Sequence, residues 1–239
     1  MSIAEKFEVI ADEVYEKGKR DEYDKFWDNF QSYGKPKKYQ YAFFGDSWND
    51  NNFKPKYDII CGSGLNSGAI FYTSTIKDLE GILNTLGRKL DTSGSVNLDN
   101  LFNYSSVTAV PEIDATSCSG INSMFYNATA LKTIRKLILK EDGSQKFTSP
   151  FTNCKALENI TIEGTIGQNG FNVSACTKLS GESIASIIEA LSTATSGLSV
   201  TLSQTAVDNM VFPITGNKGT YNSWSDLEQT KTNWTISLV

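Results

Sequence analysis

An α/β solenoid with a parallel β-sheet is the fold class this sequence predicts, and three observations predict it. The first is a returning unit: Leu101-Phe102 with Val107 and Val110, Met124-Phe125 with Leu131 and Ile134, and Pro150-Phe151 with Leu157 and Ile160. The second is its period, 24 residues from Val107 to Leu131, 26 from Leu131 to Leu157 and 22 from Leu157 to Leu179, within the range of stacked repeat architectures. The third is a change of pattern at both ends, where helical stripes replace the repeat. A unit this short cannot bury its own apolar face, so neighbours must stack, share one core and line up their phenylalanines in a column.

The chain divides accordingly into an N-terminal helical segment over 1–34, irregular first repeats over 35–97, regular repeats over 98–180 and an α/β cap over 181–239. In the first segment Ile3, Phe7, Ile10 and Val14 form one apolar stripe on a helix. Ser2 and Glu5 have the spacing of a capping box. Beyond Gly18 the face resumes as Tyr23, Phe26, Trp27 and Phe30. This stripe either packs on the end of the solenoid or meets copies of itself; two heptads are too few to hold an oligomer alone, so the aromatic face must contribute. Ile3, Phe7, Ile10, Val14, Phe26, Trp27 and Phe30 are therefore the candidate oligomer or docking face.

From Tyr39 to Ile60 aromatics alternate with turn formers. Asp46, Asn49, Asp50 and Asn52 lack the spacing and closing glutamate of a calcium loop and read as Asx turns. Gly62 to Gly68 lacks the lysine and threonine of a phosphate loop and reads as a turn. Phe71, Ile76 and Leu79 repeat the spacing of Phe102, Val107 and Val110, with a helical insert over Leu79 to Leu86. Strands are predicted at Val110–Ile113, Ile134–Leu139 and Ile160–Ile162, aligned in parallel. A helix then runs from Ser180 through Ile184, Ile187, Ile188 and Leu191 to a stop near Gly197, and the sheet is expected to continue through it into Leu198–Leu202. Short helices over Ala206–Val211 and Asp226–Thr232 and a strand over Trp234–Leu238 complete the cap, covering an apolar last repeat and an unpaired edge.

Composition narrows the function. Charged residues make up 21% and hydrophobic residues 39%, the balance of a folded chain and not a disordered one. Residues 1–31 hold nine acidic and five basic side chains against eighteen and seventeen in the remainder. A neutral repeat body on an acidic chain has no grip on phosphate backbones, so nucleic acid is not an expected partner. No basic opening followed by an apolar run marks a signal peptide, and charges interrupt every hydrophobic stretch, so no membrane span is expected.

The chain has no histidine, which excludes Ser-His-Asp and Cys-His catalysis. Cys61, Cys118, Cys154 and Cys176 show no C-x-x-C spacing, so neither a metal nor a cofactor site is predicted. Cys154 and Cys176 each precede a repeat leucine by three residues and so occupy one slot on adjacent repeats. That spacing permits a disulfide, while a free cysteine fills such a slot as a small hydrophobe. Carboxylate chemistry survives the exclusion: Asp114, Glu158 or Glu163 on adjacent repeats could flank a glycosidic bond, although such side chains equally suit a solvated surface. No catalytic residue is assigned. Tyr41, Trp48 and Tyr57 are the candidate ligand contacts, through stacking on sugar rings, with core packing as the competing role.

Met124-Phe125-Tyr126-Asn127-Ala128-Thr129-Ala130-Leu131-Lys132-Thr133-Ile134 and Phe151-Thr152-Asn153-Cys154-Lys155-Ala156-Leu157-Glu158-Asn159-Ile160 resemble the BspA-like leucine-rich repeats of bacterial proteins. Residues 98–180 carry that resemblance. Met1 to Lys6, Glu22 to Trp27, Trp48-Asn49-Asp50 and Phe53 to Asp58 are similar to uncharacterised proteins of gut Firmicutes and their prophages, many associated with tail genes. The resemblance implies a leucine-rich-repeat solenoid and a non-enzymatic component of a phage or prophage tail, made in the bacterial cytoplasm and placed in the virion. Its implied partners are other tail or virion proteins or a bacterial surface component. The alternative it implies is a cell-surface adhesin or host-interaction protein, reached through a leader encoded upstream.

Overall fold

The computed structural model describes residues 49–51, 53–55, 58–61 and 70–239. The chain is mixed α/β, built of short and mostly parallel strands with few helices. The described residues form no closed barrel. In chain order they are β1 (Ile59–Ile60), α1 (Leu79–Thr85), β2 (Leu90–Asp91), β3 (Ala109–Asp114), β4 (Gly120–Asn122), β5 (Thr133–Ile138), β6 (Lys146–Thr148), β7 (Asn159–Glu163), α2 (Gly181–Ala190), β8 (Leu198–Leu202), α3 (Gln204–Asp208), β9 (Ile214–Thr215), β10 (Thr220–Tyr221), α4 (Trp224–Glu228), a 3₁₀ turn (Gln229–Lys231) and β11 (Trp234–Leu238). No helix among them is long and apolar enough to cross a membrane.

The three strands expected to align do so, in the order β3-β5-β7 and all parallel. Ala109 pairs with Thr133 and Thr133 with Asn159, then Val110 with Ile134 and Ile134 with Ile160. The strands bury Val110, Ile134 and Ile160 with Ile113, Leu137 and Ile162; these two positions stand two apart in β7, as simple alternation gives, but three apart in β3 and β5. A second parallel pair, β4-β6, joins the same repeats and buries Ile121 and Phe147.

Between these strand layers the chain turns through the phenylalanines. Phe71, Phe102, Phe125 and Phe151 lie face to face with ring centroids 5.2, 5.5 and 5.7 Å apart and planes within 8° of parallel. Phe53 and Phe171 continue the file at either end at 6.1 and 5.4 Å. All six are among the largest fully buried side chains, inside one hydrophobic cluster that runs from Phe53 to Trp234.

The backbone of these turns repeats as closely as the rings. Phe71, Phe102 and Phe125 donate their N–H groups to Leu101, Met124 and Pro150, and Thr73, Tyr104 and Asn127 donate to Asn103, Tyr126 and Thr152. Each turn reaches this ladder by placing residues in the left-handed region: Asn100 and Tyr104, Ser123 and Asn127, Ser149 and Asn153 all have φ between +50° and +61°. Asparagine tolerates that conformation, and for other non-glycine residues it costs roughly 1–2 kcal/mol each. The column of interlocked N–H and C=O groups offsets that cost.

One slot in every turn admits only a small side chain. Ser74, Ser105, Ala128, Cys154 and Cys176 fill it and are buried, and the first four donate their N–H to the carbonyl of the file phenylalanine three residues earlier. Cys154 and Cys176 therefore share a slot as expected, and both thiols are free. Cys154 Sγ donates instead to the Phe125 carbonyl at 3.0 Å.

The expectation that the sheet continues into Leu198–Leu202 is overturned. β8 does not join β3-β5-β7 but pairs with β11, from Trp234↔Leu198 to Leu238↔Leu202, and meets the last repeat only through the parallel bridge Asn172↔Thr201, while α2 covers the edge of β7. Ile160 N–H donates to Ser183 Oγ at 2.9 Å and Ile162 N–H to Ser186 Oγ at 2.8 Å, while the same hydroxyls reach the Glu158 and Ile162 carbonyls. Each hydroxyl thus does for β7 what a further strand's peptide group would do. Helix α2 is buried from Ser183 to Ala190, because the sheet lies on one side and β9 and α4 lie on the other. It ends at Ala190 and not near Gly197, since Leu191 turns extended and bridges to Ile166. The next helix also starts and stops early, at Gln204–Asp208, set by its Ser203 cap and leaving Val211 exposed.

A buried polar knot fastens the C-terminal elements to α2. The Glu189 carboxylate accepts from Asn217 N–H, Lys218 N–H and Tyr221 Oη at 2.7, 2.9 and 2.8 Å. Lys231 Nζ donates to the Glu189 and Leu191 carbonyls. Burial pulls the Lys231 amine below its ordinary range. It also pushes Tyr221 up to about 12, helped by the Glu189 carboxylate.

Candidate functional site

The strand face carries charge. Across β3, β5 and β7, Lys136 Nζ stands between Glu112 at 3.5 Å and Glu163 at 2.9 Å, and both carboxylates, led by the bond to Glu163, raise the lysine's affinity for its proton. The row exists because Glu112 is in register with Lys136. A register shift between Ile134 and Leu137 then sets Arg135 and Lys136 against the single residue Thr161. Arg135 reaches Glu80 on α1 at 3.2 Å. Beside this row lies a polar groove of about 250 Å³ between α1, β2 and β3, lined by Arg88, Asp91, Thr92, Ser93, Glu112 and Asp114 among others. Its carboxylates are engaged: Asp91 by Ser93 and Lys89, and Asp114 by Thr116 N–H and Oγ1. Hydrogen bonds from Ser93 hold Asp91 below the usual carboxylate range.

The turn face is of the opposite kind. Residues 70–76, 100–110, 115–131 and 147–154 contain no charged side chain. Asp99, at the margin, gives its two carboxylate oxygens to Asn122 N–H and Nδ2, each at 3.0 Å. On this face Tyr72, Tyr104 and Tyr126 form a ladder, with ring centroids 6.2 and 5.7 Å apart and planes tilted by 59° and 54°. Tyr104 is 51% exposed. Next to the ladder, Asn153 Nδ2 donates to Asn127 Oδ1 and Asn103 Nδ2 to Asn100 Oδ1, both at 2.6 Å.

The sequence-predicted contacts Tyr41, Trp48 and Tyr57 and the docking face Ile3, Phe7, Ile10, Val14, Phe26, Trp27 and Phe30 lie outside the described residues, as do Asp46, Asn52 and the Gly62–Gly68 turn. Of the expected Asx turns, Asn49 makes one, accepting from Asn51 N–H at 2.9 Å. Asp50 instead accepts from Lys77 and Asp78 N–H, stapling the first described segment to the following repeat. Among the carboxylates weighed for sugar cleavage, Asp114 borders the groove and Glu163 is paired with Lys136.

The tyrosine ladder was not singled out by sequence reasoning. Aligning the repeats on their phenylalanines puts Tyr72 and Tyr126 one residue after the ring and Tyr104 two residues after it, so no single column contains all three. Three of the cysteines add no reactive group: burial pushes Cys118 up to about 11 and Cys154 up to about 12, and holds Cys176 well above its ordinary value, which keeps each of them in its unreactive thiol form. Comparison with protein-family models, with curated proteins and with solved structures finds no match to this chain.

Proposed function

We propose that this chain is a leucine-rich-repeat solenoid acting as a non-enzymatic binding and structural component of a phage or prophage tail. The observation that carries the reading is the single file of six phenylalanines running beside stacked parallel strands. A shared core of that kind holds two extended faces in fixed relation, which suits recognition by a large rigid surface. The N-terminal segment supplies assembly or docking through its apolar stripe, and the elements after Leu179 close the stack.

Mass spectrometry of purified particles induced from the bacterium that encodes the chain, with surface-shaved cell protein as the parallel sample, tests the proposal. Recovery with particle proteins in stoichiometric amount is the expected result. Recovery only from the cell surface replaces it with the adhesin reading, which the uncharged tyrosine and asparagine face favours equally. Light scattering of the full-length protein checks the assembly role: a monomer at all concentrations removes it.

A further inference from the structure

We propose that the Tyr72–Tyr104–Tyr126 ladder is a carbohydrate platform that takes an uncharged oligosaccharide. The inference deepens the binding role proposed above and rests on it. Four observations carry the site itself.

The rings are held at a repeat of about 6 Å by the backbone, because each belongs to a turn whose N–H groups are locked to the next turn. Tyr104 occupies a left-handed position, φ +56°, where the preceding turn places Thr73 and the following turns Asn127 and Asn153. A bulky aromatic ring is a costly choice there, and strain of this sort collects at functional positions. The ring is half-exposed and contributes little to the core. Finally, the surrounding turns are free of charge over four successive stretches and present amides and hydroxyls instead.

That combination selects the ligand class. A sugar ring offers an apolar C–H face to an aromatic ring and hydroxyls to amides, and it asks for no counter-charge. Nucleic acid and acidic polymers require cationic side chains, and the described stretches of this face carry none. The charged strand face, its ions already cross-paired, is the less suitable surface for a neutral ligand.

The test uses the full-length protein on an array of immobilised uncharged oligosaccharides built from glucose, galactose, rhamnose and N-acetylglucosamine, with uronate-containing counterparts alongside. Two variants replace two of the three tyrosines by the residue that fills the same place in a following turn, Tyr104→Asn and Tyr126→Thr, so the backbone conformation is kept. Retention of at least one uncharged oligosaccharide is expected, unchanged between 50 and 500 mM salt on the order of the screening range. Each variant should weaken it about tenfold or more while melting within a few degrees of wild type. The proposal is overturned by retention of no uncharged member, by binding confined to the uronates, or by variants that bind as wild type does. Failure here with the chain still present in particles removes the platform alone. Glycan binding by a chain absent from particles removes the tail role alone.

Discussion

The strand face and the turn face belong to the same repeats and share one core, yet they keep order by different means. On the strand face Lys136, Glu112, Glu163, Arg135 and Glu80 satisfy one another. On the turn face the side chains have no charges to pair, and position comes from left-handed residues tied into a backbone ladder. A surface whose charges are mutually neutralised offers little to a newcomer. One ordered from beneath by its backbone leaves the half-exposed Tyr104 ring open to solvent.

The largest way to break this contrast is to remove what both faces stand on. Phe125→Ala, at the centre of the file between Phe102 and Phe151, should cost roughly 3–5 kcal/mol of stability in chemical denaturation. Both faces should be lost in one transition. Loss of only one face would mean that they rest on separate cores.

Next in size is the edge of the strand face. Ser183→Ala and Ser186→Ala leave the Ile160 and Ile162 N–H groups buried without an acceptor, at roughly 1–3 kcal/mol each. Hydrogen exchange at those two amides should accelerate while exchange at Phe125 and Asn127 keeps its rank.

High pH separates the C-terminal knot from both faces. Tyr221 has a folded value of about 12 against 10 for the free side chain, so its contribution is complete below pH 10 and is lost as pH rises through 12. Cys154, at about 12 against 9, acts in the same direction. The melting temperature should fall across that window, and Tyr221→Phe should flatten part of the fall.

Smaller and opposite in sign is Ser149→Gly. It relieves an exposed left-handed serine, and after the entropy cost of glycine the net gain is about 0.5–1 kcal/mol by thermal melting. The smallest expected effect is Lys136→Met: it should leave the melting temperature within a degree or so, since the pairs it joins are solvent-exposed.

Much of the architecture was legible because it is carried by local periodicity. The recurring pairs Val107-Val110, Leu131-Ile134 and Leu157-Ile160 marked β3, β5 and β7 to within a residue, and the Ile184-Ile187-Ile188 stripe marked α2. What escaped had no local signature. β4 and β6 are three residues long with one buried side chain each, Ile121 and Phe147, too short to show alternation. The partners of β8 are long-range, β11 along its whole length and Asn172 through one parallel bridge, while serine hydroxyls on α2 occupy the edge of β7. Of the candidate site, the aromatic class was anticipated but the residues were not. Tyr104 shares a register with asparagines and not with the other tyrosines, and only the tilt of adjacent rings brings the three together.

The serine-studded helix also frees the chain from any fixed length. Because α2 terminates the sheet through two hydroxyls bonded to backbone groups and through buried isoleucines packed on the sheet, any unit that ends with the backbone and apolar face of Asn159–Glu163 would be closed in the same way. Tandem duplication or deletion of a whole unit upstream is therefore a change the terminus does not sense. A lineage can lengthen or shorten its display surface in steps of one turn while leaving its closing helix untouched.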